Sequence, residues 1–231
     1  MSTYKLCYNY YSFLFTKKQM ATEKIFWNNP HTIDLIEREL LANKVILSST
    51  DTIPGLMANL SIEAFKRLNE IKGRTVKPYL ILIHDKKMLD LFSDSLQAEK
   101  SIGRLMDFCW PGPVTLILPA KKSLPPWIAS PDKTVALRVP HHDGLLALLD
   151  RFPGLFSTSA NKTEQPTPHL VSAVDQQIVQ AVDHMVVDYT KTSHYVASTI
   201  LDCTKTPLKI IREGACSREQ LEQWYGKPIE S

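Results

Sequence analysis

The chain reads as an α/β domain with a mixed sheet, and three patterns carry that expectation. Short apolar runs of strand length alternate with amphipathic stretches of helix length along most of the sequence. The run Leu80-Ile81-Leu82-Ile83 is apolar without interruption, as in a strand covered on both faces. No internal repeat or low-complexity segment points instead to a solenoid or a linker. With 231 residues, 44% of them hydrophobic, the chain can bury one large core, so a single domain is expected over residues 26–231.

Residues 1–25 are expected to form an N-terminal appendage. Tyr4, Tyr8, Tyr10, Tyr11, Phe13 and Phe15 make its first part aromatic, but it has neither a continuous apolar core nor a small-residue cleavage site. Met20 is a candidate start, because the globular pattern begins only after it. Asn29-Pro30 looks like a helix cap followed by proline at the first helical position, and Ile33, Ile36, Leu40 and Leu41 recur at helical spacing, which predicts a helix over 31–43. Val45-Ile46-Leu47 predicts a short strand that runs into the polar loop Ser48–Gly55. Ser61 can cap a helix with Ile62, Phe65, Leu68 and Ile71 on one face, and Gly73 suits its end.

Helices are expected over 86–92 and 96–108, the second stopped by Trp110-Pro111-Gly112-Pro113, with a strand at Val114–Leu118. A proline-rich connection leads to a strand at 134–139 and a helix at 142–151. The tail repeats the theme: a helix at 169–182, strands near 185–188, 198–202 and 208–212, and a short helix from Ser217.

Composition narrows function only slightly. A net charge of +3 fits an anionic ligand or weak RNA contact, while a dedicated nucleic-acid binder usually has a stronger basic bias. Cys7, Cys109, Cys203 and Cys216 form no C-x-x-C pair, which argues against structural zinc and a disulfide framework and points to a reducing cytoplasm. No apolar run approaches membrane-spanning length, and no membrane partner is expected. G-x-x-x-x-G-K-[ST], G-x-G-x-x-G and G-x-S-x-G are all absent, so a phosphate would be held by side chains, and a serine hydrolase is disfavoured. His84, His141 and His142 lack an H-E-x-x-H context and read as surface or strand-end residues; no metal ligand is expected from protein side chains.

Five places could carry chemistry. Leu155-Phe156 leads into Ser157-Thr158-Ser159-Ala160-Asn161, a polar cluster that is either a plain turn or a ligand-facing one. Lys72 and Arg74 lie past a helix end, suited to a phosphate chain or simply to the helix dipole. Thr50-Asp51-Thr52 occupies the loop after the second predicted element. Arg138 interrupts Val135-Ala136-Leu137-Arg138-Val139 in a strand that otherwise looks buried, so it needs an anionic partner: Asp51, Asp202 or a ligand carboxylate. Arg212, ending Leu208-Lys209-Ile210-Ile211, raises the same question.

Six blocks in consistent order together resemble the YrdC family, whose members are threonylcarbamoyl-AMP synthases. They are Ser49–Leu56, Lys72-Gly73-Arg74, Trp110–Thr115, Ala136–Pro140, Ser157–Asn161 and Ile211–Ala215. The family's K-x-R and S-x-N signatures fall on Lys72, Arg74, Ser159 and Asn161. The departures are Thr75 where proline is common, Pro78 in place of a basic or amide residue, and Pro54 in place of an aromatic.

The resemblance implies a twisted, open mixed sheet with flanking helices around a concave basic cavity. It implies that L-threonine, bicarbonate and ATP, with Mg²⁺, give threonylcarbamoyl-AMP and pyrophosphate, the product serving threonylcarbamoyladenosine modification of tRNA. By position, Thr134, Ser159, Asn161 and Arg212 would contact ATP, with Lys72 and Arg74 at its phosphates as catalytic groups. Thr50 or Thr52, Arg138 and Ser198 would hold threonine. Proteins of the tRNA threonylcarbamoyl-transfer machinery would be partners. The chain resembles the short, single-domain form. Two alternatives stand beside this: an RNA-binding module for double-stranded RNA or tRNA using the same cavity without catalysis, and a carbamoyl-transfer domain like that of hydrogenase maturation, whose companion zinc-finger and acylphosphatase regions have no counterpart here.

Overall fold

The computed structural model describes residues 23–74, 78–94, 100–188 and 196–230. The elements in chain order are β1 (Glu23–Phe26), α1 (Thr32–Leu41), β2 (Ile46–Ser48), β3 (Gly55–Ala58), α2 (Ile62–Lys72), β4 (Leu80–Leu82), α3 (Leu89–Phe92), α4 (Lys100–Cys109), β5 (Val114–Pro119), β6 (Thr134–Arg138), α5 (Asp143–Leu149), β7 (Leu155–Ser159), α6 (Gln176–Ala181), β8 (His184–Val187), β9 (Thr199–Asp202), β10 (Lys209–Arg212) and α7 (Arg218–Tyr225). Among these residues ten strands form one twisted, open sheet, ordered β1-β8-β2-β3-β7-β4-β6-β5-β9-β10. The β1/β8, β2/β8, β4/β6 and β5/β9 pairs are parallel and the others antiparallel, so the sheet is mixed, as the alternation predicts.

Local chemistry sets several boundaries. Ser61 caps α2 by accepting from Ala64 N at 3.0 Å, and Gly73 closes it in the left-handed region at φ +63°. Ser217 caps α7 in the same way. The first helix begins later than Asn29-Pro30 suggests: Asn29 Oδ1 is spent on His31 N, and His31 takes the cap position without a side-chain bond. The helix expected over 169–182 is broken. Val171–Ala173 is a single 3₁₀ turn, Val174 is extended, and the Asp175 carboxylate caps a new start by accepting from Gln177 N. In the helix expected over 96–108, residues 96–99 lie outside the described residues and α4 is seen from Lys100.

Two strands are not legible in the sequence. Gly55–Ala58 lacks β-branched residues yet pairs on both sides, with β2 and β7. Glu23–Phe26 pairs with β8 as an edge strand and buries Ile25. Residues 23–25, which the sequence alone places in the appendage, therefore belong to the sheet; residues 1–22 lie outside the described residues.

The core is divided by the sheet. On one face Leu47, Leu56, Ile81, Leu116, Leu137 and Leu201 pack with α2, α4, α6 and α7 into a single apolar cluster. On the other, Ile25, Ile46, Met57, Leu82, Leu155 and Val186 pack with α1 and α5. No described residue of β6, β5, β9 or β10 belongs to that second cluster. Period-2 alternation then leaves Thr134, Ala136 and Arg138, Thr115 and Ile117, and Ile200 and Asp202 on a part of the sheet outside that cluster. Thr134, Ala136, Ile117, Ile200 and Asp202 are half-buried there, while their neighbours Val135, Leu137, Leu116 and Leu201 are fully buried.

Candidate functional site

Arg138 is polar in an apolar strand because it points to that part of the sheet. It is only 2% exposed. Its Nη1 lies 2.9 and 3.0 Å from Asp51 Oδ1 and Oδ2, so Asp51, not Asp202, is the protein partner. Asp51 also accepts from His141 N at 2.9 Å. Burial alone would raise its carboxyl, but the Arg138 guanidinium and the His141 N–H outweigh this and hold it below its ordinary value. Arg138 Nε is buried and has no hydrogen-bond partner among the described residues. A buried N–H without a protein partner is suited to an acceptor from a ligand.

Arg212 lies beside it. Nη2 donates to Ser198 O at 2.7 Å and Ser198 Oγ at 3.2 Å, and Nε donates to Ser198 O at 3.2 Å. Although the residue as a whole is exposed, burial of its guanidinium, and then the nearby Arg138 charge, hold its proton less tightly than in an ordinary arginine. Ser198 Oγ also meets Thr115 Oγ1 at 2.9 Å. Thr134 sits on the same face of β6 as Arg138, four residues away, which places the two about 13 Å apart along the strand. Its Oγ1 bonds Asp132 Oδ1 and Ser130 Oγ, each at 3.0 Å.

The loop between β2 and β3 carries Thr50 and Thr52, both buried. Thr50 Oγ1 accepts from Thr52 N at 3.0 Å and bonds Ile53 O at 2.8 Å, so it is committed to the turn. For Thr52 Oγ1 the contact is with Thr50 Oγ1, at 3.2 Å. This loop abuts the end of β7: Gly55 pairs with Ser159, and Ala160 N donates to Pro54 O at 2.9 Å.

The K-x-R lysine and the S-x-N residues meet across that turn. Lys72 Nζ donates to Ser159 O at 2.8 Å, to Asn161 Oδ1 at 3.0 Å and to Asn161 O. Ser159 Oγ donates to the same Asn161 Oδ1. Burial, and then the Arg74 charge, lower the Lys72 amine to about 8. Arg74 does not join this network. Its guanidinium stacks 3.9 Å from the Tyr79 ring centre, and Nη2 donates to Pro78 O at 3.3 Å. The turn and α2's end line a cavity of about 610 Å³ with Thr163, Pro168 and Gln177.

The structure thus forms two groups, Thr134, Arg138, Ser198 and Arg212 on one face of the sheet, and Lys72, Ser159 and Asn161 at the end of β7, joined by the loop that holds Thr50 and Thr52. Arg74 borders the second group, close enough for its charge to act on Lys72. Thr115 and Ser157, each part of a sequence block named above but given no role there, face the same side of the sheet as Arg138. His142 is a strand-end residue but is buried, its Nδ1 capping α5. Among the described residues no cluster of three or more metal-ligating side chains forms, and no helix is long and apolar enough to cross a membrane.

The described residues form a mixed α/β sheet whose β6-β5-β9 portion carries Ala136 and Ile117 between arginines and hydroxyls, an arrangement of the class that suits a small anionic ligand. A family model named Sua5/YciO/YrdC and described as telomere recombination matches residues 38–214. The chain belongs to this family. It is 34% identical over 216 residues to the threonylcarbamoyl-AMP synthase of Bacillus subtilis, covering 89% of this chain and 60% of that one. It is 31% identical over 187 residues to the enzyme of the same name from Pyrococcus abyssi, covering 80% of this chain and 54% of that one. The crystal structure of P. abyssi Sua5 complexed with L-threonine superimposes with a TM-score of 0.79 at 28% identity, over 90% of this chain and 62% of that one. The chain therefore spans little more than half the length of these relatives.

Proposed function

We propose that this chain is an L-threonylcarbamoyladenylate synthase, joining L-threonine, bicarbonate and ATP into threonylcarbamoyl-AMP with release of pyrophosphate, for threonylcarbamoyladenosine modification of tRNA. The observation that carries this reading is the buried Arg138, whose Nε–H has no partner among the described residues and which shares its side of the sheet with Arg212, Ser198 and Thr134. An arginine held on one side by Asp51 has its Nε–H left for a carboxylate, with Thr52 next in the chain to Asp51 and Ser198 bonded to the neighbouring Arg212. Thr134, about 13 Å along the strand, suits the far end of a nucleotide. The names of the relatives, and threonine bound to P. abyssi Sua5, support the substrate.

In this reaction the threonine amine and bicarbonate give a carbamate with loss of water. A carbamate oxygen then attacks the α-phosphate, and pyrophosphate departs. The protein's task is to align the two and to stabilise charge at the attacked phosphate, for which Arg212 and Arg74 are the available cations. Asp51 is committed to Arg138 and Asp202 to Thr204, so Mg²⁺ would be held by phosphate oxygens and water. A cytoplasmic enzyme with tRNA-modifying protein partners is the matching setting. Pure RNA binding fits less well, because a backbone needs displayed cations, and Lys72 and Arg138 are 3% and 2% exposed. The test is ATP-dependent incorporation of labelled bicarbonate into an acid-labile product. Incorporation that requires L-threonine supports the reading; none, beside salt-sensitive RNA binding, overturns it.

A further inference from the structure

The K-x-R pair looks like two cations serving one phosphate chain, but the geometry separates them. Lys72 is the last residue of α2, and the left-handed Gly73 that follows turns the chain away, so Arg74 leaves on a different course and stacks on Tyr79. Lys72 faces inward instead. Its ammonium has three protons and meets three oxygens: Ser159 O, Asn161 O and Asn161 Oδ1. Its own carbonyl accepts from Thr163 N at 3.1 Å and Thr163 Oγ1 at 3.0 Å. One residue thus grips a five-residue turn at both ends.

We propose that Lys72 is a positioning residue, which fixes the Ser159–Thr163 turn with all three ammonium protons and its carbonyl and makes no contact with phosphate itself. The three acceptors explain the residue type. A compact ammonium on a flexible stem can direct its donors into a bowl of oxygens, whereas the planar guanidinium fork cannot. The turn is polar and short, and without the cation three oxygen atoms would face one another beside a half-buried turn. Asn161 Oδ1 is doubly fixed, by Lys72 and by Ser159 Oγ, so the orientation of its amide is set before any ligand arrives. This deepens the synthase reading by assigning Lys72 a role behind the nucleotide-facing residues.

The first measurement needs no ligand: amide hydrogen exchange of the full chain in wild type, Lys72→Met and Lys72→Arg. Exchange across residues 160–163 should be at least tenfold faster in both variants, with residues 65–70 of α2 unchanged. Wild-type exchange in the turn of Lys72→Arg overturns the proposal, as a merely charged group would then suffice. Should Lys72→Met fail to fold, Lys72→Arg supplies the same comparison. The second measurement is kinetic. Lys72→Arg should raise the KM for ATP by the same factor as Asn161→Ala and leave the KM for threonine within twofold, and the double variant should be no worse than the single ones. Full activity of Lys72→Arg, or effects that multiply, would overturn the clamp. A wild-type protein without synthase activity would count against the proposed reaction alone, because the exchange comparison judges the clamp independently.

Discussion

Arg138 and Asp51, 87 residues apart, meet with Nη1 2.9 and 3.0 Å from the two carboxylate oxygens, and this contact ties the loop after β2 to the end of β6. The carboxylate fixes one side of the guanidinium, leaving Nε for a ligand. If that ligand is threonine, Arg138→Lys keeps the charge but loses the fork. The KM for threonine should rise about tenfold or more while that for ATP changes less than about threefold, in an assay of threonine-dependent pyrophosphate release. Equal changes in both would remove Arg138 from the threonine site.

Asp51→Asn leaves Arg138 as a buried charge with a weakened partner and should cost about 3 kcal/mol in denaturant unfolding. The carboxyl is held below its ordinary value of 3.8 in the folded chain, so its contribution is present above that value and fades as pH falls below it. The difference in stability between wild type and Asp51→Asn should therefore shrink below about pH 4.

Arg74→Ala removes a half-buried cation that stacks on the buried Tyr79 ring. The stack is worth about 1 kcal/mol, so unfolding should shift little. Loss of a preorganised charge at the phosphate should lower kcat about a hundredfold. A variant with wild-type kcat would exclude Arg74 from the chemistry.

The Lys72 amine, lowered to about 8, gives opposite trends for binding and stability. Above pH 8 it keeps only two protons for three oxygens, and the KM for ATP should rise. Between about 8 and the ordinary lysine value of 10.5 the unfolded chain holds more protons than the folded one, so this group's contribution to stability increases over the same range. The charged groups about it are Arg74 on its own segment and, across the cavity, Lys162 and Asp175. A KM that stays flat to pH 9.5 would refute the assignment.

Truncation should separate the appendage from the sheet. Removing residues 1–19 keeps β1 and should leave pyrophosphate release nearly unchanged. Removing residues 1–27 also takes the buried Ile25 and the half-buried Trp27, whose ring lies where a Cβ on Gly144 would be, and should lower stability by about 3 kcal/mol or more in the same unfolding assay.

The elements whose boundaries depend on nearby residues were legible in the sequence: α2 between Ser61 and Gly73, α7 from Ser217, the buried run at β4. So was the anomaly of Arg138, because a charge in a buried strand demands a partner whatever the fold. Where pairing is non-local the sequence was mute. Gly55–Ala58 is a strand only because β2 and β7 flank it, and Glu23–Phe26 only because β8 offers an edge. Tertiary structure also chose among residues of equal chemistry. It selected Asp51 over Asp202 for Arg138, committed Thr50 to its own turn, and turned Lys72 onto the end of β7 while Arg74 stacked on Tyr79. Side-chain type states what a residue must satisfy, but which oxygen satisfies it depends on segments far away in the chain, and only packing brings them within 3 Å.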